Sequence, residues 1–329
     1  MRKITLITTL TLVLVIAVLL CAGCTGTNNE SKSELQNYSD DYTPVTVENY
    51  GRTFTITEKP KAVVVAGPNC AEVFIALGLV DYVVGKSCDN HCLKPLPEYA
   101  EEYYNIPETT HGYPTIEAVV SSGCDFLYAI DWVFEGDFTV ETLEDYGINV
   151  YVCEATDYEG VWKEIRDIGE IFEAQDAAEA FIASEKARLA AVEEAVAGQE
   201  TKKVFIYDSD TGNGVYTAGG PNIETQFIES AGGTNIFKDL DQAWVGVSYE
   251  EILERNPDYI IIHDYEEATY DENINSLVND PILSQLDAVK NKHFIRLSLE
   301  SAFPGSRTAY SVEKIAEGMF PEQFEAETT

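Results

Sequence analysis

The chain has 329 residues, of which 57 are acidic and 21 are basic, so its formal net charge is −36 at pH 7. This excess of carboxylates repels phosphate groups, which excludes nucleic acid and anionic lipid surfaces as expected partners. A hydrophobic fraction of 45% and a length beyond one ordinary core indicate a globular protein with two domains.

The first 23 residues have the pattern of an export signal. Two basic residues at positions 2–3 precede an almost unbroken apolar run over 4–21, and small residues then lead to Cys24. This pattern predicts cleavage and lipidation of Cys24. An uncleaved membrane anchor remains the alternative, because the run is close to the roughly 17 residues that can span a bilayer. Cys21 also stands where lipoprotein signals usually have leucine. Both interpretations place the remaining chain on the extracytoplasmic face of the cell membrane.

Residues 24–44 are polar and predict a flexible tether, and a regular alternation of strands and helices follows them. Such alternation predicts a parallel sheet that is covered on both faces. The predicted strands of this first lobe, 45–172, are 52–56, 61–66, 82–85, 125–130 and 149–153, and its predicted helices are 71–79, 115–122 and 140–146.

A long segment without Gly or Pro, from about residue 175 to 197, predicts a single helix, and we assign 173–198 to it as a connector. A second lobe, 199–324, repeats the alternation, and 325–329 form a tail. Its predicted strands are 203–207, 259–263 and 293–297, and its predicted helices are 222–231, 249–256 and 309–319. The predicted fold is therefore α/β, with two Rossmann-like lobes of parallel sheet, a single connecting helix and a ligand cleft between the lobes.

The two lobes also share a local sequence pattern. TIEAV at 115–119 with CDFL at 124–127 matches SYEEI at 248–252 with PDYI at 257–260, at the same spacing. In both, a Ser or Thr caps a helix, an acidic residue stands in its first turn, and an Asp opens the next strand. This match supports two related lobes.

Several further segments, in their order and spacing, resemble the periplasmic-binding family that serves importers of iron-siderophores, haem and cobalamin. The resemblance covers about residues 45–324. The segments are AEVFIALG (71–78), VVG (83–85), TIEA (115–118), AGGTN (231–235), SYEEIL (248–253), PDYII (257–261) and FPEQF (320–324).

The resemblance implies a binding protein without catalytic activity that captures a metal chelate and delivers it to the permease and ATPase of an ABC importer. It implies no intrinsic cofactor, a monomer, and a stiff connecting helix that allows only small lobe movement on binding. In similar proteins a surface glutamate of each lobe docks on permease arginines, and the matching positions here are Glu72 and Glu224. An enzyme is not indicated, because the chain has no nucleophile elbow, Walker loop or HExxH motif, and its CxxC sequence at 21–24 belongs to the export signal.

The ligand is expected where the carboxyl ends of the parallel strands of the two lobes face each other. Trp132 and Trp244 are the expected aromatic anchors, although either could instead belong to the core. The candidate ligand-binding residues are Asn69, Cys70, Lys86, Ser87, Cys88, His91, Tyr113, Asp131, Trp132, Tyr216, Trp244, His263 and Arg307. The same loops carry Phe134, Asp208, Asp210, Tyr265, Glu300 and Ser306.

Five cysteines follow the signal, and four of them are predicted on the cleft rim, whereas Cys124 precedes its strand. An oxidising exterior favours at least one disulfide, most simply Cys88 with Cys92 or with Cys70. The alternative is that Cys88, His91 and Cys92 bind a metal, which would suit a surface metal-binding or redox protein.

Overall fold

The computed structural model describes residues 42–324. The export signal, Cys24, most of the tether and the tail lie outside the described residues. The described part begins with an antiparallel hairpin of β1 (Val45–Asn49) and β2 (Arg52–Ile56). The Asn49 side chain joins this hairpin to the first lobe, because its amide exchanges two hydrogen bonds of 2.7 Å with the backbone of Val152.

The first lobe contains a five-stranded parallel sheet in the order β5-β4-β3-β6-β7. Its central strands are buried throughout, as helices on both faces require. The strands are β3 (Val63–Ala66), β4 (Val83–Ser87), β5 (Glu108–Thr110), β6 (Phe126–Ile130) and β7 (Asn149–Cys153). The helices are α1 (Pro68–Ala76), α2 (Ala100–Asn105), α3 (Ile116–Ser121), α4 (Val140–Asp145) and α5 (Tyr158–Ile171).

The connecting helix, α6, runs from Gln175 to Ala195 and is 21 residues long, which corresponds to about 32 Å. It packs against α5 of the first lobe and against the last long helix of the second lobe. The α5–α6 contact is close because Gly169 has no side chain. A Cβ atom at this position would lie 2.6 Å from the Cβ of Ala178.

The second lobe contains a four-stranded parallel sheet in the order β11-β8-β13-β14 and a small antiparallel sheet in the order β12-β10-β9. The strands are β8 (Lys202–Tyr207), β9 (Ser209–Asp210), β10 (Gly214–Ala218), β11 (Gly233–Asn235), β12 (Trp244–Ser248), β13 (Tyr259–Asp264) and β14 (Phe294–Ser298). The helices are α7 (Ile223–Ser230), α8 (Tyr249–Arg255), α9 (Tyr270–Asn279), α10 (Asp287–Asn291), α11 (Thr308–Met319) and α12 (Pro321–Phe324).

The predicted fold class is confirmed, and the sequence match between the lobes corresponds to matching contacts. Thr115 caps α3, and Ser248 caps α8, each through its side-chain oxygen. The carboxylate of Asp125 accepts hydrogen bonds from the backbone N–H groups just before β3, and Asp258 accepts one from Lys203 at the start of β8. Each aspartate thus joins the starts of two neighbouring parallel strands.

The sequence analysis did not predict several elements of this fold. Among them are β1, helix α5, which lies in the first lobe before the connector, the small antiparallel sheet and α9. The strands of the small sheet are short and lie among Gly, Asp and Asn residues, which are typical of turns. Among residues 42–324, none of the helices combines the length and the apolar character that a bilayer crossing requires.

Candidate functional site

A cavity of about 350 Å³ lies between the two lobes, at the carboxyl ends of their parallel strands. Most of its lining is aromatic or apolar, which is typical of pockets for small molecules. The lining residues are His91, Tyr113, Ile130, Asp131, Trp132, Cys153, Glu154, Ala155, Thr156, Asp208, Tyr216, Pro221, Asn222, Ile223, Ala243, Trp244, Tyr265, Leu299, Ala302, Phe303 and Pro304.

The wall formed by the first lobe is an aromatic cluster around Trp132. The ring centroids of His91 and Tyr113 lie 4.8 and 5.3 Å from that of Trp132, and the ring of Phe303 lies at 5.9 Å. Phe303 comes from the second lobe, where the segment after β14 crosses to the first lobe and packs in its core. The wall is therefore held by both halves of the chain.

The opposite wall is formed by Tyr216 on β10 and Trp244 on β12. These strands are antiparallel partners, and the two rings stack with their centroids 5.7 Å apart and an interplanar angle of 14°. Aromatic rings offer a large contact area and lose little side-chain entropy on binding. Two aromatic walls that face one cavity suit a ligand with broad, partly apolar faces.

A buried histidine lies behind the Trp244 wall. His263 is fully buried, with its Nδ1 atom 2.8 Å from Asp208 and its Nε2 atom 2.9 Å from Glu224. Burial alone lowers the pKa of His263, but the charges and hydrogen bonds of Glu224 and Asp208 raise it to about 10. The ring is therefore a cation at neutral pH, and both of its N–H groups are donated to these carboxylates.

Six of the residues that the sequence analysis proposed for ligand binding line this cavity. They are His91, Tyr113, Asp131, Trp132, Tyr216 and Trp244. The other seven do not line it and are buried in the protein interior, so their predicted exposure to the cleft is wrong. They are Asn69, Cys70, Lys86, Ser87, Cys88, His263 and Arg307. The strand-end rule gives the edge of the sheet but not the direction in which each side chain points.

The buried polar members of this group have partners within the protein. Lys86 forms an ion pair with Asp89, and the Ser87 hydroxyl lies 2.6 Å from that of Thr109. The Asn69 side chain donates a hydrogen bond of 2.8 Å to the carbonyl oxygen of Pro304. These groups stabilise the loops around the cavity.

Arg307 is central to a buried ion-pair network that joins the two halves of the chain. Its Nε and Nη2 atoms lie 2.7 and 2.6 Å from the two carboxylate oxygens of Glu72, and its Nη1 atom lies 3.2 Å from Glu300. Glu72 also accepts hydrogen bonds from the backbone N–H of Leu96 and from the Ser306 hydroxyl. All three charged side chains are at most 3% exposed.

The prediction that Glu72 and Glu224 are surface docking residues is wrong. Both are 0% exposed, because Glu72 pairs with Arg307 and Glu224 pairs with His263. The sequence placed each of them correctly in the first helix of its lobe. It could not give their burial, because their partners lie far away along the chain.

The cysteine prediction also needs correction. Cys70, Cys88, Cys92, Cys124 and Cys153 are free thiols, so none of the expected disulfides is present among residues 42–324. In the same range no group of three or more His, Cys, Asp or Glu side chains is arranged to hold a metal ion. The structure of these residues therefore does not favour the alternative of a metal site at Cys88, His91 and Cys92. Burial raises the pKa of Cys92 to about 12, so its thiol is protonated at neutral pH.

The sequence analysis overlooked several lining residues. Glu154, Ala155 and Thr156 follow β7 directly, so the strand-end rule could have found them. Phe303 and Pro304 could not be found in this way, because they line the cavity only after the segment beyond β14 crosses to the other lobe.

Two parallel-sheet lobes, one connecting helix and an aromatic cleft between them define a two-lobed ligand-binding protein. A family model described as periplasmic binding protein matches residues 63–299. The chain therefore belongs to the periplasmic binding protein family. This identification confirms the family that the sequence segments suggested.

Two curated proteins are similar to this chain. An uncharacterized ABC transporter substrate-binding lipoprotein of Bacillus subtilis, YvrC, is 26% identical over 318 residues, which cover 94% of this chain and 96% of that protein. A cobalamin-binding protein of Halobacterium salinarum is 31% identical over 222 residues, which cover 66% of this chain and 58% of that protein.

Solved structures share the fold. A periplasmic binding protein from Veillonella parvula matches with a TM-score of 0.76 and 26% identity, covering 84% of this chain and 98% of that one. A protein of an ABC-type Fe3+-hydroxamate transport system from Saccharomonospora viridis matches with a TM-score of 0.72 and 26% identity, covering 86% and 99%.

Proposed function

We propose that this protein captures a metal-chelate ligand of the iron-siderophore, haem or cobalamin type outside the cytoplasmic membrane and delivers it to an ABC importer. The aromatic cavity between the lobes carries this proposal, because Trp132 and the Tyr216–Trp244 pair offer two apolar walls to one ligand. The names of the similar proteins support the ligand class. A lipid on Cys24 would keep the protein next to its permease.

A thermal-shift screen with cobalamin, haem and a ferric hydroxamate tests the ligand class. A ligand that binds the folded state raises the unfolding temperature, by an amount that corresponds to about 2.7 kcal/mol at 100 times its Kd. Bovine serum albumin serves as a control for nonspecific effects of haem. If none of these compounds shifts the transition at millimolar concentration, the protein does not have the proposed function.

We further propose that Glu117 and Glu250 take the docking role that the buried Glu72 and Glu224 cannot take. Both are exposed, and they occupy equivalent first-turn positions of α3 and α8 in the two lobes. A helix that precedes a parallel strand begins at the edge where the strands end, so both carboxylates lie on the cleft side. Exposed carboxylates pair well with arginine side chains of a partner.

Charge reversal separates docking from ligand binding. Cells that carry Glu117→Lys/Glu250→Lys as the sole copy should take up the labelled ligand at least tenfold more slowly, while the purified variant binds it normally. Glu193→Lys/Glu194→Lys is the matched control, because these exposed residues lie near the end of α6. Equal uptake by the two double variants would refute the docking assignment.

A further inference from the structure

Among the described residues, the charged side chains that line the cavity are all acidic. Three carboxylates line it, from Asp131, Glu154 and Asp208, and no lysine or arginine is among the described residues that do so. Many of the other side chains that line the cavity are aromatic, and the faces of aromatic rings attract cations and repel anions. An anionic ligand would therefore find no partner of opposite charge on these walls.

Among the described residues that line the walls, His91 is the only titratable base, and it does not change this balance. Burial lowers the pKa of His91, although Glu267 and Asp208 act in the opposite direction, so its imidazole is neutral at pH 7. Its Nδ1 atom lies 3.0 Å from the side-chain oxygen of Asn90, and its ring stacks with Tyr265. His91 thus contributes a neutral aromatic surface.

The cations behind the walls are already neutralised. His263 donates both N–H groups to Asp208 and Glu224, so its positive charge is already paired with two carboxylates. Lys86 is paired with Asp89, and Arg307 is paired with Glu72 and Glu300. None of these cations is free to meet a ligand carboxylate without breaking a buried ion pair.

Asp131 is the carboxylate that is most available to a ligand. It is exposed to the cleft, and it directly precedes Trp132 of the aromatic wall. Desolvation of its carboxyl group and the neighbouring Glu154 raise its pKa above the usual value, although a hydrogen bond from the backbone of Trp132 acts in the opposite direction, and no cation is among the groups that stabilise its charge. A ligand with a positive or hydrogen-bond-donating group would stabilise the Asp131 carboxylate.

We propose that the cavity selects against anionic chelates and binds ligands whose rim carries amides, hydroxyls or a positive charge. This inference rests on the proposed function and narrows its ligand class. An amide-rimmed corrinoid or a neutral or cationic ferric hydroxamate fits the cavity. Haem with its two carboxylates and tricatecholate iron complexes with several negative charges do not fit it.

Two pairs of probes test the charge selection, and in each pair the chelate is kept while the charge changes. The first pair is cobinamide, which has amide side chains, and cobyrinic acid, which has the same corrin ring with carboxylates. The second pair is ferrioxamine B, which carries an ammonium group, and its succinylated derivative, which ends in a carboxylate. Haem is measured beside them. Binding is followed by quenching of tryptophan fluorescence at about 20 and about 500 mM salt.

In at least one pair the carboxylate probe should bind at least tenfold more weakly than its partner. The ratio of the two Kd values, carboxylate probe over partner, should become smaller at high salt, because salt screens the charges. Asp131→Asn should lower this ratio at least threefold, whereas Asp137→Asn should not change it. Asp137 is an exposed residue of the same loop that does not line the cavity. Circular dichroism confirms that both variants are folded.

The outcomes separate this inference from the proposed function. If haem or a carboxylate probe binds as tightly as the amide and ammonium probes, the charge selection is wrong and the proposed function stands. If Asp131→Asn and Asp137→Asn have the same effect on the ratio, the assignment to the cavity carboxylates is wrong. If no probe binds at all, the proposed function fails, and the inference fails with it.

Discussion

Replacing Arg307 by methionine should destabilise the protein strongly. The guanidinium pairs with both oxygens of Glu72 and with Glu300, and these carboxylates are at most 1% exposed. The variant leaves two buried carboxylates without a cation, and breaking a buried pair in this way costs about 3–5 kcal/mol. At about 2.1 cal/mol/K per residue, a body of nearly 300 residues should lose about 5–8 °C in Tm.

Urea unfolding and calorimetry measure this loss, and Arg166→Met is the control. Arg166 pairs with Glu179 at the surface, where side-chain exposures of 43% and 58% predict a cost below about 1 kcal/mol. Adding Glu72→Gln to Arg307→Met should restore at least about 1 kcal/mol, because one buried charge is removed. Equal losses in Arg307→Met and Arg166→Met would refute the structural role of the network.

Three further predictions concern buried groups and the cavity. Burial raises the pKa of Glu164 to about 8, so the folded protein keeps a proton that the unfolded chain releases near pH 4.3, and the free energy of unfolding should fall as the pH rises from about 5 to 8. Glu164→Gln should flatten this dependence in urea titrations, and an unchanged slope would contradict it. A thiol reagent should count five thiols in the unreduced body from residue 25 onward, slowly before and rapidly after unfolding, whereas a lower count would reveal a disulfide. Trp132→Phe and Trp244→Phe should each weaken the fluorescence quenching by a bound probe, and full quenching in both variants would place the ligand elsewhere.

Individual residues show how much of the candidate site could be predicted from the sequence. The strand-end rule placed Trp132 and Trp244 at the cavity, because alternating strands and helices fix which loops share an edge. The same rule brought Lys86 and Arg307 to that edge and could not show that their charges are used inside the protein. Glu72 and Arg307 are 235 positions apart, so no local pattern could predict their pairing.

The elements that the sequence analysis did not predict also depend on contacts between distant residues. Strands β10 and β12 have little apolar alternation of their own, and their pairing depends on a register set by residues 26 to 34 positions away. That pairing stacks Tyr216 on Trp244 and creates one wall of the cavity. The other wall needs Phe303, which reaches Trp132 only when the segment after β14 packs in the opposite lobe.

The sequence by itself determined the α/β class, the two related lobes, the connecting helix and the edge at which a ligand site can form. These features depend on periodicity and on local capping, which short stretches of sequence contain. Only the tertiary structure decided which side chains face the cavity and which charges are neutralised in the interior. That outcome depends on burial and on pairing between distant residues, and the excess of carboxylates on the cavity walls becomes visible only there.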